Sequence, residues 1–147
     1  MTNIKATTTK KTFSRETSVS VEIKSSADKI WKVLTDIVNY PKWNSTIVSI
    51  SGEVELNKII TLVSTLDPSR TFKLKIKEVV ENEKLVWGDM QGSRNYTLEK
   101  ISDSLTKFTM AEKISSPLLP LFVKYIPEFD ESFEQFATDL KKEVEKS

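Results

Sequence analysis

Six short runs of β-like alternation follow one another between Ile47 and Ile114, separated by polar turns and never by a helical pattern. They are Ile47–Ser51, Lys58–Leu66, Arg70–Val80, Leu85–Met90, Arg94–Ile101 and Leu105–Ile114. Connections this short oblige successive strands to pair antiparallel as a meander. The clearest run is the third, where Phe72, Leu74 and Ile76 share one face and Lys73, Lys75 and Lys77 the other. Those lysines read as the solvated face of a sheet.

The flanks complete the pattern. Thr17–Lys24 alternates, with Val19, Val21 and Ile23 on one side, and predicts a seventh, half-buried strand. Ile30, Trp31, Val33, Leu34, Ile37 and Val38 then recur at helical spacing from about Ala27, behind a serine N-cap and Asp28 in the first turn. Pro41 disfavours helical geometry at Tyr40 and predicts a turn there. Leu118–Lys146 predicts a long C-terminal helix, because Phe122, Ile126, Phe129, Phe133, Phe136, Leu140 and Val144 fall at steps of three and four. Pro127 either kinks that helix or opens its main body. Asp130, Glu131 and Glu134 read as its outer face. Residues 1–12 read as a flexible leader, and residues 13–147 as one α+β domain whose single antiparallel sheet buries its apolar face against helices.

Composition narrows the chemistry. The 147 residues contain neither His nor Cys, which excludes Ser-His and Cys-His nucleophile pairs, disulfides, and imidazole or thiolate metal sites. Three glycines cannot build a Gly-rich phosphate loop, and no cofactor is expected. Lys plus Arg number 22 and Asp plus Glu 21, so a net charge of +1 gives no field for nucleic acid. The longest apolar stretch, Leu118–Ile126, is broken by Pro120 and Lys124 and is too short to span a bilayer, so no integral membrane association is expected. These features fit a cytoplasmic protein, with the absence of Cys consistent with a reducing compartment.

Several segments together resemble a known superfamily. Asp36 to Trp43 (DIVNYPKW) resembles the "D, spacer, YP, one residue, W" signature that follows the first helix of START-like proteins. This group is also called the Bet v 1-like or SRPBCC superfamily and includes polyketide cyclase/dehydrase and lipid transport proteins. Leu85–Gly88 (LVWG) resembles its "LVW" strand, Gly92–Leu98 the next strand, and Leu105–Glu112 (LTKFTMAE) the strand before its last helix. The resemblance implies a helix-grip fold. In that fold a seven-stranded antiparallel sheet wraps a long C-terminal helix, one or two short helices follow the first strand, and an apolar cavity lies between sheet and helix. Relatives with this pattern often carry His in the last two strands, where this chain has Arg94 and Met110.

On that fold the inward parity of the strands and helix assigns the ligand contacts to Phe72, Leu74, Ile76, Trp87, Arg94, Tyr96, Phe108, Met110, Glu112, Phe122, Tyr125 and Phe129. For each aromatic, ordinary core packing is the competing explanation. A hairpin turning at Ser102–Ser104 predicts Arg94 opposite Glu112 and Tyr96 opposite Met110, and hence an inward ion pair. That pair is either structural or an anchor for a ligand's polar group. Three functions remain open. The first is a carrier or binder of a small hydrophobic ligand such as a lipid, isoprenoid, quinone or polyketide. The second is a cyclase or dehydratase with Glu112 or Asp89 as acid or base and Arg94 with Tyr96 polarising an oxyanion. The third is a protein-interaction domain using the sheet face or the segment 117–127.

Overall fold

The computed structural model describes residues 4–146, and in it the meander closes as expected but gains one strand. The strands are β1 (Ala6–Lys10), β2 (Ser14–Ile23), β3 (Ile47–Ser51), β4 (Ile59–Ser64), β5 (Phe72–Val80), β6 (Lys84–Gly88), β7 (Gly92–Ser102) and β8 (Leu105–Ser115). They form one antiparallel sheet in the order β1-β2-β8-β7-β6-β5-β4-β3. The seven-strand expectation is therefore corrected to eight. The extra strand lies within the stretch read as a flexible leader, of which residues 1–3 fall outside the described residues. Thr-rich sequence favours extended backbone, and β1 is held from two sides. Its partner β2 supplies the ladder, with Thr8 opposite Thr17. Glu134 accepts from the Ala6 amide at 2.8 Å, Asp130 from the Thr8 hydroxyl, and Glu128 from Lys10 at 2.9 Å. Asp130 and Glu134 thus tie helix to edge strand rather than forming an outer face.

The helices are α1 (Ala27–Thr35), α2 (Tyr40–Trp43), α3 (Leu119–Phe122) and α4 (Asp130–Glu145), with 3-10 turns at Ile37–Asn39 and Val123–Tyr125. Two expectations change here. Tyr40 is helical in spite of Pro41, because the proline occupies the first turn of α2, where a missing N–H costs nothing. The single helix predicted from Leu118 is instead the one-turn α3, a 3-10 turn and then α4. Ile126 is extended before Pro127, as the residue preceding a proline prefers, and this ends the first segment.

The core sits between the sheet and α4, whose Phe133, Phe136, Ala137, Leu140 and Val144 are buried. Phe136 is the hub. Its ring lies 5.8 Å from Tyr96, 6.3 Å from Phe108, 5.9 Å from Tyr40 and 6.1 Å from Trp43. Full burial of such side chains stabilises by roughly 1.5–3 kcal/mol each. Tyr40 donates its hydroxyl to the Leu34 carbonyl, so the YP segment packs into the core. The turn into β3 is fastened to α4 as well. Asp139 accepts from the Ser45 amide and hydroxyl at 2.9 and 2.8 Å, and the buried Asn44 accepts from Thr46. This core fills one end of the space between sheet and helix. The other end is left to the strand ends and the 117–129 segment.

Candidate functional site

A cavity of about 340 Å³ lies at that end, near the lower limit for small-molecule sites. Its walls come from the start of β3, from β4 to β8, the β4–β5 loop and the segment from Phe122 to Ser132. β5 contributes Phe72 and Leu74, β6 Trp87 and Gly88, β7 Arg94, and β8 Glu112 and Ile114, while Phe122, Tyr125, Ile126, Pro127 and Phe129 close the far side. Alternation explains the selection, since residues two apart on neighbouring paired strands project to one side. A register shift between Ile76 and Glu78 marks a bulge in β5, which increases the local twist and helps the sheet curl.

The register of β7 and β8 is the expected one: Arg94 faces Glu112, Tyr96 faces Met110 and Leu98 faces Phe108. Arg94 donates from Nε to Glu112 Oε1 at 2.8 Å, and the two side chains are only 17% and 20% exposed. The guanidinium also lies over the Phe133 ring, 5.0 Å from its centroid. Burial disfavours the charge on Arg94, but Glu112 and the Tyr96 phenol offset that loss and hold its pKa above the ordinary value. Burial pushes the Tyr96 hydroxyl up to about 12, against the opposing pull of Arg94. The phenol is therefore neutral at physiological pH.

This has a consequence in alkali. A tyrosine whose folded pKa is raised from 10.0 to about 12 contributes stability that is fully present below pH 10 and is lost as pH climbs through the folded value. Tyr40 is displaced in the same direction, chiefly by burial. The melting temperature is expected to fall steeply between pH 10 and 12, and the Tyr96→Phe variant to show a shallower fall. Equal slopes in the two proteins would show that Tyr96 does not titrate as described.

Eight of the twelve residues assigned from sequence line the cavity: Phe72, Leu74, Trp87, Arg94, Glu112, Phe122, Tyr125 and Phe129. The other four, Ile76, Tyr96, Phe108 and Met110, are at most 1% exposed and pack in the core that floors it. Trp87 bridges the two, touching the cavity while meeting Tyr96 edge-on at 5.0 Å. Asp89 stands at the rim and builds the turn there, accepting from the Gln91 and Gly92 amides at 2.9 and 3.0 Å.

Sequence reading missed Arg70 and Arg15. Arg70 lies in the β4–β5 loop, lines the cavity and stacks its guanidinium 4.3 Å from the Phe72 centroid. The signal was its two-residue offset from Phe72 just after the Asp67-Pro68-Ser69 turn. Arg15, on β2, is 4% exposed and braces the wall from behind. It donates to the Pro127 carbonyl at 2.6 Å and lies 5.2 Å from the Phe129 centroid, while its Nε has no hydrogen-bond partner among the described residues. The signal was a charged residue on the same parity as Thr17, Val19, Val21 and Ile23, all of which are buried.

An antiparallel sheet packed on a C-terminal helix, with a partly apolar cavity left at one end, defines the START-like class of α+β proteins. The chain belongs to the polyketide cyclase/dehydrase and lipid transport family, whose model matches residues 14–145. Solved structures share the fold at low identity. An aromatase/cyclase, Zhui, from Streptomyces sp. R1128 is 11% identical, with 90% of this chain and 94% of that one covered at a TM-score of 0.71. A START superfamily protein from Mycobacterium smegmatis is 18% identical, with 89% and 97% covered at 0.68. Norcoclaurine synthase from Thalictrum flavum is 14% identical, with 94% and 98% covered at 0.68. No curated protein matches the sequence. No helix among the described residues is long and apolar enough to cross a membrane.

Proposed function

We propose that the chain binds a small, mainly apolar ligand in this cavity, with Arg94 and Glu112 as its polar anchor. The observation that carries the reading is the pairing of an aromatic wall with one half-buried ion pair. Phe72, Leu74, Trp87, Phe122 and Phe129 offer an apolar surface, and Arg94 and Glu112 stand among them. Arg94 commits Nε to Glu112 Oε1, so the pair can present a donor and an acceptor together. A hydroxyl or enol, which both donates and accepts, satisfies both better than a bare anion does, because Glu112 already balances the guanidinium.

A cyclase-type activity is the second reading, supported by the family's description and by the aromatase/cyclase neighbour. In that reading Glu112 is the acid or base and Arg94 stabilises an oxyanion. Tyr96 lies beneath the cavity and acts only through Arg94.

Native mass spectrometry of the freshly purified protein tests the main reading. A small-molecule adduct that disappears on denaturation is the expected result, and its mass names the chemical class to assay for turnover. Leu74→Trp fills the space from the wall and is expected to weaken binding of an apolar fluorescent probe by about tenfold, with little change in melting temperature. An unliganded mass together with probe binding unchanged in Leu74→Trp would overturn the assignment.

A further inference from the structure

Five large apolar side chains that the fold leaves in water lie together at the end where the cavity opens, whereas others, such as Val38, Leu56, Ile59 and Ile101, are scattered over the rest of the surface. Phe13, Met90, Leu118, Leu121 and Tyr125 are between 56% and 102% exposed. They come from three separate segments that the backbone holds together: Ser116 donates to the Phe13 carbonyl at 3.0 Å, and Ser115 to the Gln91 carbonyl at 2.9 Å. Gln91, Phe122, Tyr125 and Ile126, interleaved with these residues in sequence, line the cavity itself. Leaving this much apolar surface in water is unfavourable and marks an interaction site.

Charge identifies the occupant. Lys11, Arg70 and Lys124 belong to the same end and form no ion pair among the described residues. The Lys124 ammonium instead lies 5.2 Å from the Tyr125 ring centroid. Of the carboxylates at this end, Asp89 accepts from two amides, Asp67 from the Ser69 hydroxyl and Glu128 from Lys10. Protruding Leu, Met and Phe side chains, with a tyrosine and free cations beside them, fit the boundary between lipid headgroups and acyl chains. Each free cation adds attraction to an anionic leaflet.

We propose that this end of the molecule docks on an anionic lipid bilayer, with Met90, Leu118 and Leu121 inserted and Lys11 and Lys124 at the headgroups. Docking there places the cavity opening against the lipid, so an apolar ligand can pass between bilayer and cavity without crossing water. The passage rests on the ligand-binding reading above, whereas the docking does not.

Flotation with vesicles of phosphatidylcholine, with and without phosphatidylserine, tests the proposal. The protein is expected to float with the serine-containing vesicles and to be released by salt. Met90→Asp and Leu121→Asp, at exposed positions that the core does not need, are each expected to lower partitioning by about tenfold with melting temperature unchanged. Lys124→Glu is expected to weaken binding at low salt. Absence of flotation would overturn the proposal, and so would flotation that survives both aspartates or is abolished instead by Lys75→Glu on the opposite sheet face. Binding of the soluble apolar probe, measured in the same variants, separates the two readings. Vesicle binding without probe binding would refute the cavity assignment alone, and probe binding without flotation would refute the docking alone.

Discussion

Glu112→Leu is expected to cost about 2–4 kcal/mol of folding stability, because it strands the guanidinium of Arg94 in a half-buried site with its counter-charge removed. Arg94→Met is expected to cost a similar amount by stranding Glu112. The double variant Arg94→Met/Glu112→Leu removes both charges and is expected to recover most of either loss, since apolar side chains in the same space lose no desolvation energy. Denaturant unfolding of the four proteins yields the coupling directly. Additive single losses would show that the 2.8 Å contact contributes nothing as a pair. The cycle also separates stability from function. A double variant that folds as well as the parent but no longer distinguishes a hydroxylated probe from its hydrocarbon counterpart would place the anchor role in the pair. Unchanged selectivity would leave the pair structural.

The pair was legible from sequence because a hairpin's register follows from its turn. With the reversal at Ser102–Ser104, alternation does the rest, and Arg94, Tyr96 and Leu98 find Glu112, Met110 and Phe108. The same logic placed Phe72 and Leu74 on the cavity side of β5. It could not say how far into the interior each inward residue lies. Tyr96 and Phe108 share parity with Arg94 and Glu112, yet α4 sets its Phe136 against the former pair and leaves the latter pair open to the cavity. Depth depends on where the helix crosses the sheet, which is a tertiary fact.

The elements that escaped notice did so for physical reasons of two kinds. β1 has no apolar alternation, because what holds it is hydrogen bonding to Glu134 and Asp130 across 128 and 122 residues of chain. The 118–126 segment has helical spacing but also Pro120 and Pro127, and its apolar residues point into water as often as into the cavity. Leu118, Leu121 and Tyr125 are exposed, while Phe122 and Ile126 line the wall. A periodicity argument treats every apolar residue as core, so a segment that spends them on a surface is read as the start of the buried helix.

Gly88→Ala is expected to destabilise the fold by about 3 kcal/mol, and the reason is space rather than backbone freedom. A Cβ at this position would stand 2.2 Å from the Gly92 carbonyl oxygen and 2.7 Å from the Ser93 Cα. Both are backbone atoms of the facing strand and cannot rotate away. The Gly92 carbonyl also accepts from the Asp89 amide at 2.9 Å, so moving it opens the turn that Asp89 caps. Gly92 is the control. A Cβ there meets nothing closer than 3.1 Å, and Gly92→Ala is expected to cost about 1 kcal/mol. Because Gly88, Asp89, Gln91, Gly92 and Ser93 all line the cavity, the strain falls on its rim. Gly88→Ala should therefore lose probe affinity even at temperatures where it remains folded, while Gly92→Ala keeps it. Equal melting temperatures for the two variants would mean that β6 and β7 separate without cost at this point, and that the rim is looser than the close approach of Gly88 to Gly92 requires.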